Sequence, residues 1–426
     1  MKRYQRILSC MLIAAPILGL VSYGAPRTNA AGTAQSGVTT ITFMNDGGVQ
    51  GDKQFRVMID AFNKSHPSIQ VKDELVQNTI TKFVTASTSG QAPDVLWWDR
   101  VQTALYAPKG LLYPINGFMK QDGVSQSLFY QQALHELSWN GNLYGLPATV
   151  DCRDLFYNKK LLAQAGLKPP MTWSELERDA RTLTQWNGNK LVRAGFSIAD
   201  PGLFNMYLQQ AGGQMVSADG SHTTFNSAAG LAVLNFWNRL INVDKVYQVG
   251  FDQGLGQSVD GFAIGKDAMV YSGPWQISTY KKLGIDYGIA QPPAGPSGLK
   301  ASIMGGLGLA IPAASQHKQA AWTFIKWWMT DPKNALSWGE ESYNITGNLK
   351  ANQDAFYQKD PFWKPILDTL AYAKVRPTFA GYATMEAQAL VPNLQLFLEG
   401  KQSAAQTLSA AATQGDQVLQ RDNSPR

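Results

Sequence analysis

Three consecutive residues, Trp98, Asp99 and Arg100, bring together a flat apolar ring, a two-oxygen acceptor and a five-donor fork. That mixture suits a sugar, whose C–H face packs on an aromatic plate while its hydroxyls take bidentate polar partners. The same residues also read as a solvated Asp–Arg pair beside a core tryptophan, or with Asp99 as the N-cap of a following helix. Pro93 and Asp94 before them are turn residues, and Val95, Leu96 and Trp97 form a short apolar run of the kind a buried strand shows. The trio therefore falls at the C-terminal end of a strand, where open α/β sheets hold ligands. Asn45, Asp46 and Gln50 follow an earlier strand at the same edge, although Asp46 equally suits the cap of the next helix.

The elements that position these groups can be followed along the chain. Residues 39–44 alternate like a strand, and the turn Asn45-Asp46-Gly47-Gly48 follows. Phe55, Met58, Ile59 and Phe62 recur at helical spacing until His66-Pro67 stops the helix. Residues 69–75 read as a second strand, 80–87 as a second helix and 95–97 as a third strand. Strands alternating with helices in this way imply a parallel, doubly wound sheet. Further on, residues 151–158 are strand-like and 159–165 make a short helix. Thr172 and Glu175 form a capping box at the next helix start. Residues 231–241 predict an amphipathic helix, and 262–271 run from a helix end into a strand that leads to Gly273-Pro274-Trp275. Residues 305–311 read as a buried strand with close backbone approach, opened by Gly305 and Gly306, which count among the candidate ligand contacts. Helices dominate beyond Gln316, and no internal repeat is present.

Composition narrows the chemistry. The 426 residues, 44% of them hydrophobic, suffice for two sizeable cores. The net charge of +6 owes four of its basic residues to Lys2, Arg3, Arg6 and Arg27, leaving 33 basic against 31 acidic residues beyond them. That near-neutral remainder gives no electrostatic case for nucleic acid or an anionic membrane as partner. Basic residues before an apolar run at residues 7–21, then Thr28-Asn29-Ala30, make a secretory signal cleaved near Ala30, followed by a flexible leader over 31–38. The apolar run is short for a membrane span, the alternative being a retained anchor. Cys152 is then the one cysteine of the exported chain, so no internal disulfide is expected. The four histidines lie in polar, turn-like contexts with no ligand spacing, and neither a Cys–His pair, a metal nor a cofactor is expected.

Taken in order, the landmarks Gly90-Gln91-Ala92-Pro93-Asp94, Tyr144-Gly145-Leu146-Pro147, Phe156-Tyr157-Asn158-Lys159-Lys160-Leu161-Leu162, Lys266-Asp267-Ala268-Met269, Gly273-Pro274-Trp275 and residues 321–332 (AWTFIKWWMTDP) resemble the extracytoplasmic solute-binding proteins of ABC importers. The likeness is to the family 1 group that includes the maltodextrin binders, and it covers about residues 39–419. It implies two α/β lobes, each a doubly wound, mainly parallel sheet, joined by a hinge of several crossings. The N-lobe would take 39–149 plus 302–345 and the C-lobe 150–301 plus 346–426. Residues 343–347 (YNITG) depart from the Gly-x-x-Pro string of many relatives at the third crossing.

The resemblance also implies site residues. It makes Asp99, Arg100 and Trp98 candidate sugar contacts, and counting back six from Tyr157 of Tyr-Asn-Lys lands on Asp151, a position that bonds sugar hydroxyls in the family. Trp275, after Gly-Pro, is the stacking tryptophan. Asp200 stands where the family has Glu-Pro before an aromatic, displaced here to Phe204 or Tyr207, and Tyr382 is the candidate cleft aromatic from the C-terminal helices. The expectation is a monomer that is not an enzyme. It captures a carbohydrate, an oligosaccharide, outside the cytoplasmic membrane, free or tethered, and delivers it to a permease. Two alternatives stand beside it: glycerol 3-phosphate or another polyol as cargo, with Arg100, Lys374 or Arg376 for the phosphate, and a secreted glycoside hydrolase using Asp99 and Asp151 as its carboxylate pair.

Overall fold

The computed structural model describes residues 37–47, 53–198, 200–252 and 259–423. The signal segment, its cleavage near Ala30, most of the leader and Gln50 lie outside them.

The first lobe is built on strands β1 (Thr39–Asn45), β2 (Ile69–Leu75) and β3 (Val95–Asp99), separated by helices α1 (Lys53–Ser65) and α2 (Thr79–Thr88). β2 and β3 flank β1 and both run parallel to it. This arrangement follows from the sequence: Phe55, Met58, Ile59 and Phe62 put one face of α1 into the core, while Ile41, Phe43, Val95 and Leu96 are fully buried beneath it. Beyond β3 the sheet takes strands from later in the chain. β4 (Gly145–Pro147), introduced after helix α3 (Gln131–Glu136), is its far edge. A strand at Leu307–Ala310 lies between them, antiparallel to both. The apolar core under this sheet draws on residues 41–148 and 309–338, with Trp322, Trp328 and Trp338 buried in it.

The chain then passes through β5 (Thr149–Cys152) into β6 (Asp154–Asn158). The expected continuous strand over 151–158 is thus two strands, joined at Arg153. β6 lies between β7 (Met269–Ser272) and β8 (Tyr287–Ala290), and both pair with it antiparallel. This departs from the mainly parallel sheet expected of the second lobe. Parallel pairing among its described residues includes the isolated bridges of Ala194 with Asp267 beside β7 and of Thr172 with Ala294. β7 and β8 run parallel to each other, joined by a crossover through the short helix Ile277–Lys282 after a Pro–Trp turn, and the antiparallel strand is β6, which enters from the hinge between them. Buried apolar clusters cover the two faces, one rich in residues 155–271 with 382–419 and one gathering Phe156, Tyr280, Tyr287, Trp363 and Ile366.

Between the two bodies, β5 pairs antiparallel with β9 (Met304–Gly305), and the strand Leu307–Ala310 becomes β10 after a break at Gly306. On its other side β5 pairs with β11 (Ile345–Thr346), which follows the helices Lys318–Thr330 and Pro332–Ser342. Three chain passages therefore lie side by side, and the departing string at 343–347 still supplies the third. The N-cap at Thr172 forms as the sequence implies, with Thr172 Oγ1 accepting from Glu175 N at 3.2 Å. The Glu175 carboxylate accepts from Met171 N at 2.6 Å, one residue before the N–H of the expected box. Cys152 is buried and unpaired with any other cysteine.

Two carboxyls in the second lobe are buried at a cost. Burial pushes Asp154 up to about 7, opposed by hydrogen bonds from Thr369 and Cys152. Burial and the charge of Asp252 push Asp267 up to about 9. Below pH ~4 both states of the chain hold these protons. Above that the unfolded chain loses them while the folded chain keeps them, so stability falls as pH rises toward 7 for Asp154 and toward 9 for Asp267. Asp267→Asn, which removes the buried titrating group at nearly constant volume, is expected to raise the melting midpoint at pH 8 by about 2–5 °C and to leave it unchanged near pH 4. Thermal melts across pH 4–9 measure this.

Candidate functional site

The C-terminal ends of β1 and β3, the strands between the lobes and the turn after β7 open on one cleft of roughly 1160 Å³. Small-molecule pockets commonly span about 300–1,000 Å³, so the cleft holds more than a single small ring. Its first-lobe wall carries Asp46, Gln54, Trp97, Asp99 and Trp338, and its second-lobe wall Asp151, Arg153, Asp200, Trp275, Arg376 and Glu386, with Gly305 and Gly306 on the floor.

Local sequence puts these groups in place. In β3 the side chains alternate, so Trp97 and Asp99 share one face. Asp99 caps the turn that follows, accepting from Val101 N at 3.4 Å, and also accepts from Arg376 Nη2 at 3.1 Å. Arg376 reaches it because Lys374 pairs with Ile303 beside β9, its carbonyl accepting from Met304 N at 2.9 Å. The same guanidinium lies 3.8 Å from Glu136 and 4.0 Å from Glu386. Burial opposes the charge on Arg376, but Asp99, Glu136 and Glu386 outweigh it and hold the guanidinium above its ordinary value. Burial pushes Glu386 up against the pull of Arg376, and Tyr382 Oη donates to it at 3.1 Å.

On the second-lobe side, Trp275 follows Gly273-Pro274 in a tight turn, half-buried. Gly273 is required there, since a Cβ would come within 2.7 Å of the indole Cε3 and collide with the atoms beside it. The Arg153 guanidinium stacks 4.4 Å from the Trp275 ring centre and donates to Asp151 Oδ1 at 3.1 Å. Asp200 caps its turn by accepting from Gly202 N at 2.8 Å. Trp97 Nε1, Trp338 Nε1 and Gln54 Oε1 are buried at the first-lobe wall without a hydrogen-bond partner. Among the described residues no cluster of His, Cys, Asp and Glu is arranged to hold a metal ion, and no helix is long and apolar enough to cross a membrane.

Residues 46–335 match the family model of the bacterial extracellular solute-binding proteins. The chain belongs to that family. The chain is 26% identical over 288 residues to a maltotriose-binding protein of Pyrococcus abyssi, an alignment covering 66% of this chain and 60% of that protein. It is 23% identical over 439 residues to a galactooligosaccharide-binding protein of Bacillus subtilis, covering 98% and 96% of the two chains. Among solved structures it resembles CpMnBP1 with mannobiose bound, with a TM-score of 0.80, 27% identity and coverage of 89% and 100%.

In this solute-binding protein the cleft gathers Asp46, Asp99, Asp151, Asp200, Trp275, Gly305 and Gly306 from the residues marked out by sequence. Six others lie elsewhere. Trp98 points to the opposite face of β3 from Asp99, fully buried, with its Nε1 donating to Thr103 Oγ1 at 3.0 Å. Arg100 is fully buried behind the cleft, where Nε donates to Glu136 at 3.0 Å, Nη1 to the Thr149 carbonyl at 2.5 Å and Nη2 to the Gly305 carbonyl at 2.6 Å. Asn45 is buried at the end of β1, donating to Asp73 Oδ1 and accepting from Gly47 N. Phe204 and Tyr207 pack on Trp237 in the second-lobe core. Tyr382 is buried, and its hydroxyl, which also accepts from Asn205 at 3.4 Å, carries Glu386 rather than facing the cleft itself.

The residues the sequence reading passed over are Trp97, Trp338, Gln54, Arg153 and Glu386. Strand parity could have found Trp97, and adjacency to Asp151 could have drawn attention to Arg153. Arg376, considered only for a phosphate, is engaged instead by carboxylates. Nothing local marks Trp338 or Glu386, which reach the cleft from distant helical segments.

Removing the Arg100 guanidinium leaves Glu136 buried beside Arg376 alone and two strand carbonyls without their donor. Arg100→Ala is expected to destabilise the protein by about 3–5 kcal/mol, as one-sided loss of a buried pair does. Denaturant unfolding followed by circular dichroism measures this loss.

Proposed function

We propose that this protein captures a carbohydrate, an oligosaccharide, in the cleft and delivers it outside the cytoplasmic membrane to the permease of an ABC importer. The observation that carries the reading is the convergence, on one cleft, of the Trp275 ring with Asp99 and Asp151 from opposite walls. A stacked ring with hydroxyls bonded from both lobes stabilises the lobes together, and that differential sets how far ligand shifts the population. The unpartnered Trp97 and Trp338 N–H groups and the Gln54 carbonyl add donors and an acceptor that hydroxyls can meet. The names of the two relatives, maltotriose- and galactooligosaccharide-binding, agree with this cargo class.

We assign residues 39–149 with 302–345 to the N-lobe and 150–301 with 346–426 to the C-lobe, in keeping with the separate apolar clusters. The phosphate alternative fits less well. The cleft wall holds five carboxylates, Asp46, Asp99, Asp151, Asp200 and Glu386, against two guanidiniums, Arg153 and Arg376, each already engaged by carboxylates. For the glycosidase reading one carboxyl would need apolar surroundings to keep its proton. Asp99 and Asp151 each accept from a guanidinium instead. We therefore read the protein as a receptor that acts as a monomer without a cofactor.

Isothermal titration with maltotriose, mannobiose, galactobiose and glycerol 3-phosphate, read beside tryptophan fluorescence, tests this. Saturable saccharide binding is expected, weakened about 30-fold or more by Trp275→Ala, the size of a buried aromatic anchor worth roughly 2 kcal/mol. Release of monosaccharide would restore the hydrolase, and a response to the phosphate ester alone would change the cargo.

A further inference from the structure

We propose that Arg153 is a built-in competitor for the sugar. On the reading of the cleft as a saccharide site, its guanidinium holds the ring face and the carboxylate oxygen that the ligand takes over. Arg153 is the single residue between β5 and β6, and its backbone is fixed. Its N–H donates to Ser302 Oγ at 3.0 Å, and the same hydroxyl donates to the Arg153 carbonyl at 2.7 Å. Ser302 is fully buried, so the anchor does not move with the side chain. The side chain itself is 28% exposed at the cleft wall.

From that anchor the guanidinium makes two contacts at once: it lies 4.4 Å over the Trp275 ring and bonds Asp151 Oδ1 at 3.1 Å. These are the contacts a pyranose makes with its apolar face and its hydroxyls, so ring and guanidinium exclude each other from the same indole face. An arginine stem has free rotors and an exposed path to water, so it can withdraw without disturbing β5 or β6. The consequence is selective. A ligand displaces Arg153 only if it both stacks on Trp275 and satisfies Asp151, because one that does the first alone leaves a carboxylate without its partner.

The test compares the wild-type protein with Arg153→Ala and Arg153→Met, the second keeping the stem without the charge. Mannobiose, maltotriose and galactobiose are titrated by calorimetry. Both variants are expected to bind the preferred saccharide about five- to thirty-fold more tightly, the range released by losing one cation–π contact and one partly exposed ion pair. Adding Trp275→Ala to Arg153→Ala is expected to abolish the gain. Saccharide binding by variants alone supports the proposal equally. Wild-type binding that is unchanged or weakened in both variants overturns it and leaves the saccharide site standing. No saccharide binding by any of the three overturns the site and the proposal together.

Discussion

The fully buried guanidinium of Arg100 is the interaction on which the arrangement of the cleft depends. It leaves the end of β3, the first lobe's central strand, and ends on the carbonyls of Thr149 and Gly305, which belong to two of the three passages between the lobes. Its third contact, Glu136, closes the charge. A buried guanidinium without partners is prohibitively costly, so all three must be present together, and their positions are thereby fixed relative to β3. Gly306 follows from the same constraint. It adopts a φ of 128°, and a Cβ there would come 2.6 Å from Arg100 Nη1 and collide with the Thr149 carbonyl. The break between β9 and β10 is what lets the guanidinium through.

Asp99 owes its position to this anchor, being the residue before Arg100 and the residue opposite Leu307 in the sheet. Glu136 extends the network across the cleft, because the oxygen that does not meet Arg100 lies 3.8 Å from Arg376. One buried carboxylate is thus shared by a guanidinium that holds the hinge and another that faces the ligand space. Burial raises Glu136 while Arg100 and Arg376 pull it down, which makes its ionised form dependent on both.

Much of the fold was legible where its elements obey local rules. The residue range of β2, the apolar face of α1 and the cap at Thr172 follow from spacing and side-chain chemistry within a few residues. Asp99, Asp151 and Trp275 were legible because each sits at a strand end that a neighbouring motif marks. Legibility ended where position depends on distant partners. Arg100 reads as a ligand fork until Thr149 and Gly305 are seen to occupy its donors. Trp98 and Trp97 differ only by one residue of strand parity, and that step sends one into the core and the other to the cleft. Phe204, Tyr207 and Tyr382 were displaced from the cleft by the same force, since a second-lobe core that includes Trp173, Phe236 and Trp237 buries large aromatics first. The antiparallel sheet of that lobe was hidden because strand residues specify burial and not the direction in which a connection returns.

The paired state of the cleft's charges bears on what can displace them. Asp99 accepts from Arg376 through Oδ1, so a ligand that only donates to Asp99 is left to Oδ2 beside an existing ion pair, and one that only accepts from Arg376 leaves Asp99 facing it. A hydroxyl does both, donating its proton to the carboxylate while its lone pairs accept from the guanidinium. It can therefore insert between the two residues and keep both satisfied. A phosphate offers acceptors alone and meets repulsion from Asp99 on one wall and Glu386 on the other. Insertion by hydroxyls also adds bonds between lobes that Arg376 already links, so the gain is greatest in the conformation that holds Asp99 and Arg376 close. A site whose own charges are mutually neutralised thus favours neutral, hydroxyl-rich ligands over charged ones, through the cost of leaving either partner alone.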